Sequence, residues 1–238
     1  PPRCCRPGTV NDRYHFAYRK GYFEQTLDDR GNQTEGPVIW NPADDLKLLP
    51  VTATVTIEGR TVHIRAWLYT VKGVRGSVPV YLLDTALPEN SSWDQSLTDV
   101  LYGGDSLYRF CQEIILGMGG IAILRAMGHS DIRAYHMNEG HSALLILSLL
   151  KEDMTQRNVC EITEPCITDV RNLCVFTTHT PVPAAMDQYP MDLVGRILGA
   201  EQVTILRTAT CLRDSTLNMT YLALCFSHYI NGVSMRHE

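Results

Sequence analysis

The periodicity of apolar residues changes once along this chain, and that change is the strongest constraint on its fold. From Val51 onward apolar and polar residues alternate, as in T-V-T-I-E-G-R-T-V-H-I-R-A-W-L-Y, which is the period-two pattern of half-buried strands. E-G-R interrupts this stretch with a turn signal, so the pattern predicts a β-hairpin. V-P-V-Y-L-L-D at 78–84 then predicts a buried strand that ends in an aspartate.

Beyond residue 78 strand-like and helix-like patterns alternate. The strand-like patterns lie at 132–137 and 174–179, and the helix-like ones at 105–127, 139–152, 190–200 and 214–228. Such alternation predicts an α/β layer with a largely parallel sheet. Because neither an internal repeat nor a linker of distinct composition is visible, we expect one domain over residues 1–238.

Composition limits the classes of partner. Apolar residues make up 45% of the 238 residues, and the net charge of −5 argues against nucleic acid or an anionic membrane as a partner. The eight cysteines include no C-x-x-C pair, so we expect reduced thiols, no structural zinc and a cytoplasmic location. The sequence contains no run of 18 apolar residues, so it predicts no transmembrane helix.

One short motif suggests a nucleotide cofactor. G-M-G-G-I-A at 117–122 matches the G-x-G-x-x-A pattern of dinucleotide-binding turns, which requires a preceding strand. The upstream residues D-S-L-Y-R-F-C-Q-E-I-I-L instead have the pattern of a helix capped by Asp or Ser. We favour a helix whose glycines permit close packing, and dinucleotide binding stays open as the alternative.

Two histidines raise the question of a metal site. His136 and His141 are five residues apart, whereas metalloprotease histidines are four apart on one face of a helix. Five helical positions rotate the side chain by roughly 140° around the axis. The spacing therefore predicts no metal site.

Polar clusters follow predicted strands or precede predicted helices at three places: Tyr102–Asp105, Asn138–His141 and Thr177–Thr180. Ligands of α/β proteins bind beyond the carboxyl ends of the strands. The clusters therefore predict a pocket for a polyhydroxylated ligand. Each cluster alone has the alternative explanation that its Asp, Asn or Thr only caps a helix or turn, and the three together favour a site.

Several longer motifs carry a resemblance to a known family: L-Y-G-G-D-S-L-Y-R-F-C-Q-E-I-I-L-G-M-G-G, H-M-N-E-G-H-S-A, V-F-T-T-H-T-P-V-P-A-A-M-D and A-L-C-F-S-H-Y-I-N-G-V-S. The chain resembles the α-glucan (glycogen/starch) phosphorylases of the bacterial and archaeal branch. The match is collinear from about Tyr18 to Glu238, while residues 1–17 match poorly.

The resemblance implies an α/β fold, a partial, Rossmann-like N-terminal domain of a GT-B glycosyltransferase. It implies phosphorolysis of an α-1,4-glucan (glycogen, starch or maltodextrin) by inorganic phosphate to glucose 1-phosphate, with pyridoxal 5'-phosphate as cofactor. It allows a homodimer. The Schiff-base lysine and the phosphate-binding residues are implied to lie C-terminal to this chain, so we expect no cofactor-binding residue here and no activity from the chain alone.

The resemblance also implies roles for four residues. His179 is the catalytic histidine, whose side chain meets the sugar 6-hydroxyl and whose backbone carbonyl faces the anomeric centre. Asp105 lies in the loop that gates the sugar subsite. Glu139 takes the place of an acidic residue near the sugar, and His141 that of a neighbouring histidine that supports the site.

Other function classes remain open from the residues. Asp105 and Glu139 could form the carboxylate pair of a glycoside hydrolase. A nucleotide-sugar-dependent GT-B glycosyltransferase and a non-catalytic glucan-binding or structural protein are further alternatives. Cleavage that depends strictly on phosphate distinguishes a phosphorylase from a hydrolase.

Overall fold

A computed structural model of the chain describes residues 13–21, 23–38, 40–74, 76–100, 104–180, 186–209, 212 and 215–233. Tyr102 and Gly103 of the first polar cluster lie outside the described residues. The same holds for the P-V-P-A-A segment at 181–185 and for most of the poorly matched N-terminal segment.

The predicted hairpin is confirmed. β4 (Lys47–Ile57) and β5 (Arg60–Gly73) pair antiparallel, with Glu58 and Gly59 at the turn, both at positive φ. The predicted strand at 78–84 is β6 (Gly76–Asp84), which pairs antiparallel with β5. β1 (Arg13–Phe16) adds a parallel edge strand beside β6, so part of the poorly matched segment belongs to this sheet.

The predicted parallel layer is a second, three-stranded sheet. β7 (Tyr135–Asn138), β8 (Cys174–Thr178) and β11 (Tyr229–Gly232) are parallel, in the order β11-β8-β7. The expectation of one largely parallel sheet from residue 78 onward is wrong for β6, because the tight turn after β5 forces antiparallel pairing. The fold is α/β with mixed sheets.

Two small antiparallel pairs complete the strands. β2 (Glu24–Leu27) pairs with β3 (Gln33–Gly36), and β9 (Gln188–Pro190) pairs with β10 (Thr216–Asn218). The second pair follows the part of the chain that contains His179, and it fixes where that part returns to the core.

Helices connect these strands. The described residues form α1 (Pro42–Asp45), α2 (Ser92–Gln95), α3 (Ser106–Ile114), α4 (Gly120–Ala126), α5 (Leu145–Arg157), α6 (Glu164–Leu173), α7 (Met191–Leu198), α8 (Ala200–Thr208) and α9 (Met219–Cys225). The helix predicted at 139–152 begins later, because a 3-10 turn (Gly140–Ser142) precedes α5. The one predicted at 214–228 is shortened by β10 before it and ends at Cys225, with Phe226 as its C-cap.

The helix that carries the glycines is central to the core. A five-residue π-helical segment (Ile115–Gly119) joins α3 to α4, so the backbone is helical from Ser106 to Ala126. By length and composition alone this helix could span a membrane, but 67% of its apolar window is buried inside the fold. Its apolar character therefore has an explanation in the core, where it contacts both β4 and the turn before α5.

The dinucleotide-binding alternative is wrong. The residues proposed as its strand, Q-E-I-I-L, are helical, and the helix runs on through the glycines without the required turn. A Cβ on Gly117 would lie 2.7 Å from the backbone nitrogen of Leu145. Side chains on Gly119 and Gly120 would collide with Ile64 and Tyr14. The glycines permit close packing, as the helical interpretation predicts.

We expect Gly117→Ala to destabilise the fold by about 1–3 kcal/mol, because the backbone of α5 must move to admit the methyl group. Gly195→Ala in α7 is the matched control, since its Cβ would meet only Val203 Cγ2 at 3.7 Å. Helix propensity predicts a gain of up to about 1 kcal/mol for that control. Urea unfolding measures both, and an unchanged midpoint for Gly117→Ala would contradict the close-packing interpretation.

Candidate active site

The second and third polar clusters meet at the carboxyl edge of the parallel sheet. β7 ends at Asn138 and the neighbouring β8 ends at Thr178, so the residues that follow both strands leave the same edge. The backbone N–H of Glu139 donates to the carbonyl of Thr177 at 2.9 Å, which extends the pairing by one residue. The predicted convergence of these two clusters is confirmed.

Glu139 holds the segment that follows β8. Its side chain is buried, and its Oε1 accepts hydrogen bonds from the backbone N–H groups of His179 and Thr180, the latter at 2.8 Å. The residue has φ of 63°, a left-handed conformation that is costly for glutamate. Strain and burial are thus combined at a carboxylate whose partners lie in the predicted catalytic segment.

His179 lies at the surface of this edge. Its side chain is 40% exposed, and Nδ1 lies 2.9 Å from Thr180 Oγ1 and 3.4 Å from Glu139 Oε1. The ring is therefore oriented on its Nδ1 side and accessible to solvent.

Asp105 is the N-cap of α3. Its Oδ1 accepts a hydrogen bond from the backbone N–H of Tyr108 at 2.9 Å, and the residue is exposed. The capping alternative is confirmed for Asp105. Its predicted role in a gating loop stays a prediction, because residues 101–103 of that loop are not among those described.

His141 belongs to a group of four ionisable side chains, called here the His141 cluster: Arg109, Glu113, His141 and Asp187. His141 Nδ1 lies 3.3 Å from Asp187 Oδ2 and 3.7 Å from Glu113 Oε1. Arg109 Nη2 donates to both oxygens of Asp187, at 2.7 and 2.6 Å. Two residues come from α3, one from the turn after β7 and one from the segment before β9.

Sequence reasoning missed three members of the His141 cluster. Arg109 and Glu113 follow the Asp105 cap at a spacing of four, which puts them on one helix face and was a usable signal. Asp187 offered no local signal. Only the return of the chain toward β9 places it beside His141.

The members of the His141 cluster differ in their protonation at neutral pH. The carboxyl groups of Asp187 and Glu113 raise the pKa of His141 to about 9, so the imidazole is protonated at neutral pH. Burial raises the pKa of Glu113 to about 8. Burial acts to raise the pKa of Asp187 too, but His141, Glu113 and Arg109 hold it down to about 2. At pH 7 Asp187 is the ionised carboxylate and Glu113 is mostly neutral.

A cavity of about 120 Å³ adjoins this cluster. Polar and aromatic side chains from β1, from Tyr18 just after it and from α3 line it together with His141: His15, Phe16, Arg109, Gln112 and Glu113. Burial, and then the charge of His141, lower the pKa of His15. Glu113 Oε2 is buried without a hydrogen-bond partner among the described residues.

Glu113, His141 and Asp187 also have ligand atoms within 4.8 Å of one another, a spacing that would admit a metal ion. Arg109 already holds both oxygens of Asp187, and a metal ion requires the neutral form of His141. We therefore interpret the cluster as an ion-pair network. His136, the other histidine considered for a metal, instead bonds Thr177 Oγ1 through Nε2 at 2.7 Å.

Comparison with known proteins identifies the relationship. The chain is 36% identical over 237 residues to the maltodextrin phosphorylase of Thermococcus litoralis, which covers 94% of the chain. It is 34% identical over 247 residues to the glycogen phosphorylase of Mycobacterium tuberculosis, covering 92%, and 28% identical to that of Aquifex aeolicus, covering 94%. The resemblance to the α-glucan phosphorylases is confirmed. No family model matches the chain.

The chain spans 27%, 28% and 33% of the length of these three phosphorylases. The phosphorylase relatives thus cover nearly all of this chain, while most of each relative has no counterpart in it. What the complete phosphorylases act on therefore enters below as a proposal.

We expect Glu139→Ala to release the segment that carries His179. Loss of the buried acceptor should speed hydrogen exchange at the amides of His179 and Thr180 by about tenfold or more. Glu139→Gln is the matched control, because it has the same strained φ and keeps an oxygen acceptor, so its exchange should remain much slower. Equal exchange rates in both variants would show that the carboxylate does not hold this segment.

Proposed function

We propose that this chain forms one wall of the active site of an α-glucan phosphorylase. The proposed reaction is phosphorolysis of an α-1,4-glucan by inorganic phosphate, which releases glucose 1-phosphate. Relatives named maltodextrin and glycogen phosphorylase support the reaction class. The observation that carries the proposal is the pair of hydrogen bonds by which Glu139 fixes the backbone at His179 and Thr180.

These hydrogen bonds orient the carbonyl group of His179. The N–H of Thr180 points at Glu139, and in a trans peptide the preceding C=O points the opposite way. The carbonyl oxygen of His179 is therefore directed away from the buried carboxylate. A fixed carbonyl dipole of this kind would stabilise positive charge that develops at the anomeric carbon of a bound glucosyl unit.

The four candidate site residues have different roles in the proposed reaction. His179 would hydrogen-bond the 6-hydroxyl of the sugar through its exposed edge, and Glu139 would act through the backbone it holds rather than on the sugar. His141 would present a protonated imidazole to the same ligand. Asp105 would order the start of α3 beside the subsite.

Pyridoxal 5'-phosphate is part of the proposal for the complete enzyme, where its phosphate group supplies a proton relay. The residues of this chain do not fit that cofactor by themselves, because a Schiff base requires a lysine at the site. Lys20 pairs with Asp99, Lys151 pairs with Glu201, and Lys47 and Lys72 lie on exposed strand positions. The lysine and the phosphate-binding residues would come from polypeptide beyond this chain.

The mixed α/β sheets are compatible with a partial, Rossmann-like domain of a GT-B glycosyltransferase, and we include that architecture in the proposal. A cytoplasmic location, inferred from the cysteine pattern, and a homodimer, inferred from the resemblance, are further parts of it.

The hydrolase alternative receives less support from the geometry. A glycoside hydrolase needs two carboxyl groups that reach the glycosidic bond. Glu139 is 4% exposed and engages backbone N–H groups, while an oxygen of Asp105 caps α3. Nothing among the described residues favours a nucleotide-sugar donor.

A polypeptide that contains this chain and reaches the length of its relatives should release glucose 1-phosphate from maltodextrin, given phosphate and pyridoxal phosphate. Release should depend strictly on phosphate, and the 238-residue chain alone should release none. Reducing sugar formed without phosphate would instead support a hydrolase. Glucose 1-phosphate from the isolated chain would contradict a divided active site.

In that polypeptide, His179→Ala should lower kcat/KM roughly 10- to 100-fold, as expected for one hydrogen bond to substrate. The melting temperature should change little, since the side chain is 40% exposed. His228→Ala is the matched control: this exposed histidine lies at the amino end of β8, opposite the site. Equal activity of the two variants would remove His179 from the site.

A further inference from the structure

Glu113 is a buried carboxyl group that the proposed reaction does not use. It is 4% exposed, and its Oε2 has no hydrogen-bond partner in the described part of the chain. Native proteins rarely keep an unsatisfied buried polar atom without a reason. A charged neighbour of its other oxygen is His141, whose Nδ1 lies 3.7 Å from Oε1.

We propose that Glu113 is a positioning residue for His141: together with Asp187 it holds the Nδ1 edge of the imidazole inward and leaves the Nε2 edge to a ligand hydroxyl or anionic oxygen. The identity of that ligand as a glucosyl unit rests on the proposed function. The positioning itself rests on the geometry alone.

Packing against α9 fixes the backbone of the turn that contains His141. His141 lies in the 3-10 turn Gly140–Ser142, and a Cβ on Gly140 would lie 3.0 Å from the backbone nitrogen of Thr220. The turn is therefore pressed against the first residues of α9. What remains free at His141 is rotation of the side chain, and this is what the two carboxyl groups restrict.

The two carboxyl groups approach one ring nitrogen from different elements. Glu113 is on α3, and Asp187 lies before β9, so a rotation of the ring would have to break contacts to both. The oxygens of Asp187 also accept hydrogen bonds from Arg109, so this carboxylate interacts with two cations. Glu113 is therefore a second carboxyl group at Nδ1, and a rotation of the ring would lose its contact as well as that of Asp187.

The other ring edge faces outward. The N–H directions of the two imidazole nitrogens diverge, so an inward Nδ1 leaves Nε2 directed away from the carboxyl groups. The His141 side chain is 41% exposed and lines the cavity with His15 and Tyr18. A hydroxyl or phosphate oxygen that enters there would meet a charged N–H donor.

The charges around His141 favour its protonated form. Glu113 and Asp187 approach its Nδ1, and Arg109 pairs with Asp187. His15 on β1 lines the same cavity, and Tyr189 interacts with both carboxyl groups. His141 titrates near pH 9, above the pKa of Glu113 at about 8, so Glu113 is ionised where His141 loses its proton. Removal of the Glu113 charge must therefore lower the pKa of His141.

The experiment is an NMR titration of the histidine side chains in the full chain. The wild type should show His141 with a pKa of about 9. Glu113→Gln has the same shape and should lower this pKa by about one unit or more, as expected for a charge within about 4–6 Å. Glu113→Asp should leave it between the two.

Glu152→Gln is the control, since that carboxylate pairs with Arg125 and is absent from the His141 cluster. It should leave the titration of His141 unchanged. A wild-type His141 that titrates near 6.5, or a Glu113→Gln curve that coincides with the wild type, overturns the proposal. If Glu113→Gln fails to fold, Glu113→Asp supplies the comparison, and a His141 titration that coincides with the wild type in that variant overturns the proposal equally.

A second readout separates this inference from the proposed reaction. In a polypeptide that releases glucose 1-phosphate, Glu113→Gln should shift the alkaline limb of the pH–rate profile downward, and Glu152→Gln should not. An unmoved limb overturns the assignment of His141 to the ligand. If no polypeptide releases glucose 1-phosphate while the titration behaves as expected, the reaction is wrong and the positioning of His141 stands.

Discussion

The close approach of the central helix to the start of α5 is the contact on which the candidate site depends. Gly117 lies so near the backbone of Leu144 and Leu145 that no side chain fits between them. The turn that carries His141 directly precedes those residues, and Glu113 lies one turn before Gly117 on the helix. The absence of a side chain at Gly117 therefore lets the helix and the turn approach, and this approach brings the Glu113 carboxyl group and the His141 imidazole together.

Glu139 and Glu113 are both buried at this edge of the sheet, and their burial has different consequences. Burial disfavours a charged carboxylate unless hydrogen bonds or a cation compensate. Glu139 is compensated by backbone N–H groups of the segment it holds. Burial, and then the neighbouring carboxyl group of Asp187, raise the pKa of Glu113, so it keeps a proton to higher pH although His141 acts in the opposite direction. One acid fixes a backbone, and the other acts on the orientation and charge of a side chain.

The comparisons and the geometry answer different questions. The phosphorylase relatives indicate the class of reaction, and they cover nearly the whole of this chain. The geometry indicates what individual residues do. It gives Glu139 a supporting position beneath His179 and makes Asp105 a helix cap, whereas family resemblance alone would treat all of them as residues near the sugar.

Local patterns determined much of this protein. The hairpin, the helical reading of the glycine motif, the Asp105 cap and the strand ends before Glu139 and His179 all depend on residues close in sequence, so periodicity and capping rules predict them. The meeting of the second and third clusters also followed, because parallel strands end at one edge. The position of β1 did not follow, since pairing between distant strands has no local signal. The antiparallel position of β6 had a local signal in the tight turn after β5, but the sequence analysis did not use it.

The tertiary structure alone decided the His141 cluster. Arg109 and Glu113 lie near one end of the core segment and Asp187 more than seventy residues later, so only the folded chain brings them to His141. Their protonation depends on burial and on charges a few ångströms away, neither of which exists in the extended chain. The sequence by itself determined which residues could form a sugar site, and the fold decided which of them hold the others in place.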